Sequence, residues 1–219
     1  MVDGPVVVVR GESVHEVPPE IARFGVTVAA RDRDRKATIA RLAQRSEAVR
    51  AMIDGYGDAI ERRETGGLNV WPEHKKPSEK VVAYHGTVTT TVTVVDFTVL
   101  GELMLRLSDQ DQTTVNGPWW EVRPGSPVHR EARRVAIHAA VAKAREYAEA
   151  VGARVTGLLE IADVGTGERP MMLRAFAAGG HGDEALPQLD LDPQVQTVQE
   201  IVVARFAISE PTALGEPTG

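Results

Sequence analysis

Residues 6–30 read VVVVRGESVHEVPPEIARFGVTVAA, and this stretch decides the fold. Within Val6–Val17, the residues Val7, Val9, Gly11 and Ser13 alternate with Val8, Arg10 and Glu12. The polar half of that run directs one side of a strand toward water. Pro18 and Pro19 donate no ladder bonds, so the chain turns there. From Ile21 to Ala30, Ala22, Phe24, Val26 and Val28 alternate with Arg23, Gly25 and Thr27, the pattern of a half-buried strand. Two such runs around a turn predict an N-terminal β-hairpin. Being long and half polar, this hairpin is also the element expected to be free to pair with another chain.

The next segments extend the pattern. After the charged run Arg31–Lys36, the residues Ile39, Leu42, Ser46, Val49 and Ile53 fall at steps of three and four, one face of a helix. Gly55 is placed to stop it. Asp58–Val70 reads as a weaker strand interrupted by Gly66 and Gly67, and Pro72–Lys80 as a loop. In Val81–Val95, Val82, Tyr84, Val88, Val92 and Val94 share one face, and His85, Thr87, Thr89, Thr91 and Thr93 share the other. Alternation this long predicts an antiparallel sheet with one solvated or partner-facing side. Asp96 is placed to cap a helix carrying Phe97, Leu100, Met104 and Leu107, and Thr113–Arg123 reads as another strand.

Ser126 and Pro127 open the longest helix, which runs to Val151 before Gly152. Its apolar stripe is expected over Ala132, Val135, Ala136, Ala139, Ala142 or Lys143, Tyr147 and Val151, mostly small residues that allow close packing. Val155–Val164 is a strand. Val198–Ile208 is mainly apolar on both faces, with Glu200 and Arg205 as its charged interruptions, which predicts a central position in a sheet.

Strand–helix–strand–strand–helix–strand between Ile21 and Arg123 is a split βαβ arrangement of ferredoxin-like type. The fold class expected is therefore α+β: an antiparallel-rich sheet backed by helices, with an N-terminal β-hairpin and a long helix in the C-terminal half. Residues 1–5 form a tail and residues 6–208 one domain, with a Gly-, Pro- and Asp-rich loop insert over 165–196 and a second tail over 209–219. A loop of that length usually serves function or a partner.

With 219 residues, the chain buries about 70% of its unfolded surface on folding and needs no covalent staples. It has no cysteine, which excludes disulfides, thiolate metal sites and cysteine nucleophiles. A net charge of −6 argues against a nucleic-acid partner, which would require a basic field. No apolar run reaches the length of a membrane span. The start, Met-Val-Asp-Gly-Pro, lacks the basic region of a secretory signal, so a cytoplasmic location is expected.

Three segments carry a resemblance. The first strand ends in Gly11-Glu12 and leads to Val17-Pro18-Pro19-Glu20-Ile21-Ala22; a Val-Thr-rich strand follows at Val88–Val94; and Ala142-Lys143-Ala144-Arg145-Glu146-Tyr147-Ala148-Glu149-Ala150-Val151-Gly152 precedes a strand. In this order the chain, over about residues 6–208, resembles the SIMPL-domain family. The resemblance implies an α+β fold with a sheet backed by helices. Some bacterial members form ring- or channel-like homo-oligomers, some are linked to stress tolerance, and an animal member is a signalling adaptor. No enzyme activity or catalytic residues come with the family, so none carry over. Many bacterial members have an export signal, which this sequence does not display.

The chemistry-bearing residues form no catalytic constellation. Six histidines are scattered, and His129 and His138 share a helix without the four-residue spacing of a zinc pair; all six read as solvent-exposed. No Gly-x-Ser-x-Gly elbow or phosphate-binding loop is present. No catalytic residue, metal ligand or cofactor is therefore assigned. Arg130, Arg133 and Arg134 lie near the start of the long helix, where the helix dipole disfavours cations. They read either as contacts to an anion or a partner, or as local pairs with Glu131. His85, Thr87, Thr89 and Thr91 form either a solvated sheet face or a subunit interface. Trp119 and Trp120 point to opposite sides of their strand, one into the core and one outward, and add weight to an interface. Met171, Met172 and Phe176 are the candidate contacts in the long loop.

The function expected is a non-enzymatic scaffold or binding protein that forms homo-oligomers, with room for an unidentified protein partner. A small-ligand-binding protein or enzyme with its site under the 165–196 loop is a second expectation, and a signalling adaptor is a third.

Overall fold

The computed structural model describes residues 4–75, 80–163 and 189–213. The elements are β1 (Val6–Val17), β2 (Ile21–Asp32), α1 (Arg35–Asp54), β3 (Ile60–His74), β4 (Val81–Val94), α2 (Leu100–Ser108), β5 (Thr113–Glu121), α3 (Pro127–Ala150), β6 (Val155–Asp163) and β7 (Gln196–Ile208). They belong to two compact units. One holds β1, α3, β6 and β7; the other holds β2 through β5 with α1 and α2, together with residues 189–194. Met171, Met172 and Phe176, and most of the 165–196 segment, lie outside the described residues.

The first unit is a three-stranded antiparallel sheet in the order β1-β7-β6. β7 is the middle strand, as its apolar residues on both faces require. β1 pairs with β7 without interruption from Val6 opposite Ala207 to Val17 opposite Gln196. The hairpin expected between β1 and β2 is therefore not formed. Both strands exist, but β1 takes β7 as its partner, and β2 lies between β4 and β5. The alternation in residues 6–30 identifies strands and faces, and it carries no information on which strand pairs with which. Nor is β1 a free element, since one of its edges is committed to β7 along its whole length.

α3 packs on β1 and β7 around Val9, Ala136, Ala140, Val202, Ala204 and Phe206. Ser126 caps the helix by accepting from the Val128 N–H at 3.3 Å, with Pro127 as its first residue. Gly152, at φ +69°, ends it in the left-handed conformation that glycine adopts without penalty. The buried line is one alanine in every four: Ala132, Ala136, Ala140, Ala144 and Ala148. This corrects the broader stripe read from the sequence, in which Tyr147 and Ala142 are exposed. The line allows an unusually close approach. A Cβ added at Gly11 would lie 2.0 Å from the Ala136 carbonyl oxygen and 2.6 Å from the Ala140 nitrogen.

The second unit is a four-stranded antiparallel sheet in the order β3-β4-β2-β5. With chain order β2-α1-β3-β4-α2-β5, this is the split βαβ arrangement. Its core contains Phe24, Val26, Leu42, Val92, Leu103 and Leu107, all but sealed from water. Each such side chain contributes about 1.5–3 kcal/mol by leaving water. Asp34 caps α1 by accepting from the Ala37 N–H at 2.8 Å. Asp96 caps the 3-10 turn that leads into α2 by accepting from the Thr98 N–H at 3.0 Å. β3 continues to His74, further than its glycine-interrupted sequence indicates. At the described end of the long segment, Leu191 packs against the core, and the Leu189 carbonyl sits where a Cβ on Gly101 would be 1.8 Å from it.

Candidate functional site

Three places gather chemistry-bearing side chains. The first is the sheet face of the second unit that is turned away from α1. Gly86 and Val88 of β4 face Leu42 of α1, so His85, Thr87, Thr89 and Thr91 lie on the opposite face. All four are half-buried, and Thr89 exchanges a hydroxyl hydrogen bond with Thr27 at 3.1 Å. Trp119 shares this face, with its ring over Gly25. Trp120 points the other way, into the core, with its ring edge-on to Phe97 at 4.9 Å between centroids. The expected division of the pair between core and outer face is what the strand provides. Trp120 is consequently a core residue with no surface to offer a partner.

At one end of this face, register sets Trp71 of β3, His85 of β4 and Arg31 of β2 side by side. Glu73 joins them. Its Oε2 accepts from Arg31 Nε at 2.8 Å and lies 2.7 Å from His85 Nε2. The indole of Trp71 stacks on His85, with centroids 5.7 Å apart and planes 13° from parallel. The Arg31 guanidinium, and after it His85, hold the Glu73 carboxyl down at about 2. Thus His85 is not the solvated side chain that the sequence suggests.

The second place lies in the first unit, near the start of α3. Glu200, in the middle of β7, is 7% exposed. Its Oε1 is 3.0 Å from His129 Nδ1 and accepts from Arg133 Nη1 at 3.3 Å. Ser13, which stands opposite Glu200 in the ladder, has a buried hydroxyl without a hydrogen-bond partner among the described residues. Arg134 pairs with Glu131 at 2.6 Å; the contact lowers the Glu131 carboxyl and raises the guanidinium. Arg130 is exposed and makes no ion pair among the described residues. The three arginines are therefore not one cationic surface. One serves a buried carboxylate, one a neighbour on the helix, and one faces water. The signal for Glu200 is present in the sequence: an acid inside an otherwise apolar strand must find a partner.

The third place is a groove of about 240 Å³ between α1 and β3 in the second unit. Ile39, Leu42, Ser46, Val49 and Ile53, the helix face read from the sequence, supply its α1 side. Arg63, Thr65 and Leu68 of β3 close the other side. The only advance sign of it is Ser46, a polar residue inside an apolar stripe. Among the described residues, no group of three or more His, Asp or Glu side chains is placed to hold a metal ion. No described helix is long and apolar enough to cross a membrane.

Element order and fold now stand beside a family match. The model of one protein family, SIMPL, described as "Protein of unknown function (DUF541)", matches residues 7–206. The chain belongs to the SIMPL family. A relative of this SIMPL chain is the 26 kDa periplasmic immunogenic protein of Brucella melitensis biotype 1. The two are 26% identical over 193 residues, which cover 79% of this chain and 71% of the relative. The relative's compartment overturns the cytoplasmic location expected above. That expectation rested on the first few residues alone, and they say nothing about where a SIMPL protein works.

Two solved structures share limited likeness with this SIMPL chain. One is a Burkholderia cenocepacia protein described as an amidohydrolase/peptidase, with 19% identity, 56% of this chain and 35% of that chain covered, and a TM-score of 0.29. The other is an amidase of the hydantoinase/carbamoylase family from Burkholderia phymatum, with 12% identity, 50% and 31% covered, and a TM-score of 0.24. The chain spans about a third of each, and scores this low carry no argument about fold or activity.

Proposed function

We propose that this SIMPL chain is a non-enzymatic periplasmic scaffold that assembles with copies of itself through strand β6. The compartment follows the Brucella relative, periplasmic by name. The observation that carries the assembly is the condition of the sheet edges. Exposed edges invite pairing, and proteins blunt them with charge, proline or bulges. Among the described residues the edge strands are β1, β6, β3 and β5. β1 bears Arg10, Glu12 and Glu16; β3 bears Arg62, Arg63 and Pro72; β5 bears Gly117 and Pro118. β6 has two register shifts against β7 and carries Glu160 and Asp163, but it has no proline, lysine or arginine, and its middle is the most apolar of the four edges. Its Leu158, Leu159 and Ile161 are 56%, 37% and 45% exposed.

Two copies of β6 running antiparallel form a two-fold, self-complementary contact that joins two three-stranded sheets into one of six. With Leu159 on the axis, Glu160 falls opposite Leu158, and no two acids face each other. The native chain has no cysteine, so Leu159→Cys introduces a single reporter thiol. Opposed residues in an antiparallel pair have Cα atoms about 4.5–5.5 Å apart, within disulfide range. Mild oxidation of Leu159→Cys is expected to give a disulfide-linked dimer on a non-reducing gel. A purely monomeric band, with Thr89→Cys cross-linking in its place, would point to the threonine face and against β6.

A further inference from the structure

We propose that Asn116 is a self-modifying site, independent of the assembly surface on β6: the folded chain converts it to isoaspartate through the Gly117 backbone, and the product loosens strand β5. The chain has two asparagines, Asn69 before Val70 and Asn116 before Gly117. Both are exposed, and both stand on edge strands among the described residues. What separates them is the residue that follows. The reaction needs the next backbone nitrogen to reach the side-chain carbonyl carbon, and a stiff, branched neighbour such as Val70 crowds that approach. Gly117 has no side chain to crowd it.

The local fold keeps this pair and leaves it open. Asn116 pairs with Gly25 and Trp119 with Arg23, so Gly117 and Pro118 together stand opposite Phe24. An extra residue of this kind interrupts the ladder and is left unpaired. Gly117 is itself exposed and lies at φ +121°. A Cβ there would lie 3.0 Å from the Phe24 Cβ and 3.1 Å from the Arg23 carbonyl oxygen. The bulge thus requires glycine, and with it the reactive neighbour of Asn116.

The Gly117 nitrogen gives up its proton and bonds to Asn116 Cγ. The Cγ–Nδ2 bond breaks, and Nδ2 leaves with that proton as ammonia. The five-membered imide then takes up one water. Opening on one side of the ring nitrogen gives aspartate with the normal backbone. Opening on the other gives isoaspartate, whose main chain runs through Cβ and Cγ and is one carbon longer. Trp119, over Gly25, and Trp120, in the core, follow on the same strand and lose their register with β2.

The test is incubation of the full, folded chain in mildly alkaline oxygen-18 water, followed by peptide mass mapping. The peptide holding Asn116 is expected to gain about three mass units, one from exchange of amide for acid and two from the water oxygen. The peptide holding Asn69 should react at least tenfold more slowly. A methyltransferase specific for isoaspartate should label the incubated native chain and leave Asn116→Gln unlabelled, since that side chain is one methylene too long for the five-membered ring. The incubated chain should also unfold at lower urea than Asn116→Asp, which has the new charge without the added carbon. An unchanged Asn116 peptide, reaction only after urea has unfolded the chain, equal reaction at Asn69, or equal urea midpoints would each overturn the proposal.

Discussion

At Glu73 three strands meet on one carboxylate, with Arg31 bonded to it, His85 beside it and Trp71 stacked over the imidazole. The depressed carboxyl gives a pH dependence with a defined sign. A carboxylate whose folded pKa is lowered stabilises the fold fully above its unfolded value, about 4.3, and loses that contribution as pH falls toward the folded value of about 2. The Glu73 side-chain carbon resonance, followed by NMR in the intact chain, should titrate with a midpoint near 2; a midpoint above 4 would contradict the network. Little of this cluster was legible in the sequence. Glu73 read as a loop residue, and His85 met it only because β3 runs to His74 and sets Trp71 opposite His85. Glu200 was the better signposted residue, an acid interrupting an apolar strand. Its partners His129 and Arg133 are some seventy positions away on α3, and no local spacing could have named them.

On the scale of elements, the approach of α3 to β1 depends on the lack of a side chain at Gly11. Gly11→Ala puts a methyl group against the helix backbone at Ala136 and Ala140, so the helix must move off the strand. Overpacking of this kind costs about 1–3 kcal/mol. Urea denaturation should show a lower midpoint with the slope retained, and a midpoint equal to the native one would contradict the close contact. Here the sequence was more informative. A helix of small residues implied close packing, and the β7 run implied a central strand; both hold. Pairing was the part that could not be read. The period of two in β1 says which side chains share a face, while its partner β7 lies at the far end of the chain. Two strands adjacent in sequence across Pro18 and Pro19 therefore resembled a hairpin that the sheets do not contain.

At the scale of the whole molecule, family membership and the α+β class follow from the order of elements, which a sequence displays directly. Edge exposure does not appear in a sequence, because it depends on which strands lack a second neighbour. β7 separates β6 from β1 and, among the described residues, leaves Leu158, Leu159 and Ile161 at an edge. Placing a charge at the middle of such an edge is the standard protection against pairing. Ile161→Lys should thus dissolve the assembly and spare the fold. The deciding measurement is light-scattering mass at micromolar concentration for the native chain and for Ile161→Lys. Assembly through β6 requires a native mass at least twice the 23.7 kDa of one chain, and a variant at 23.7 kDa. A native chain at 23.7 kDa, or a variant that keeps the native mass, would contradict it.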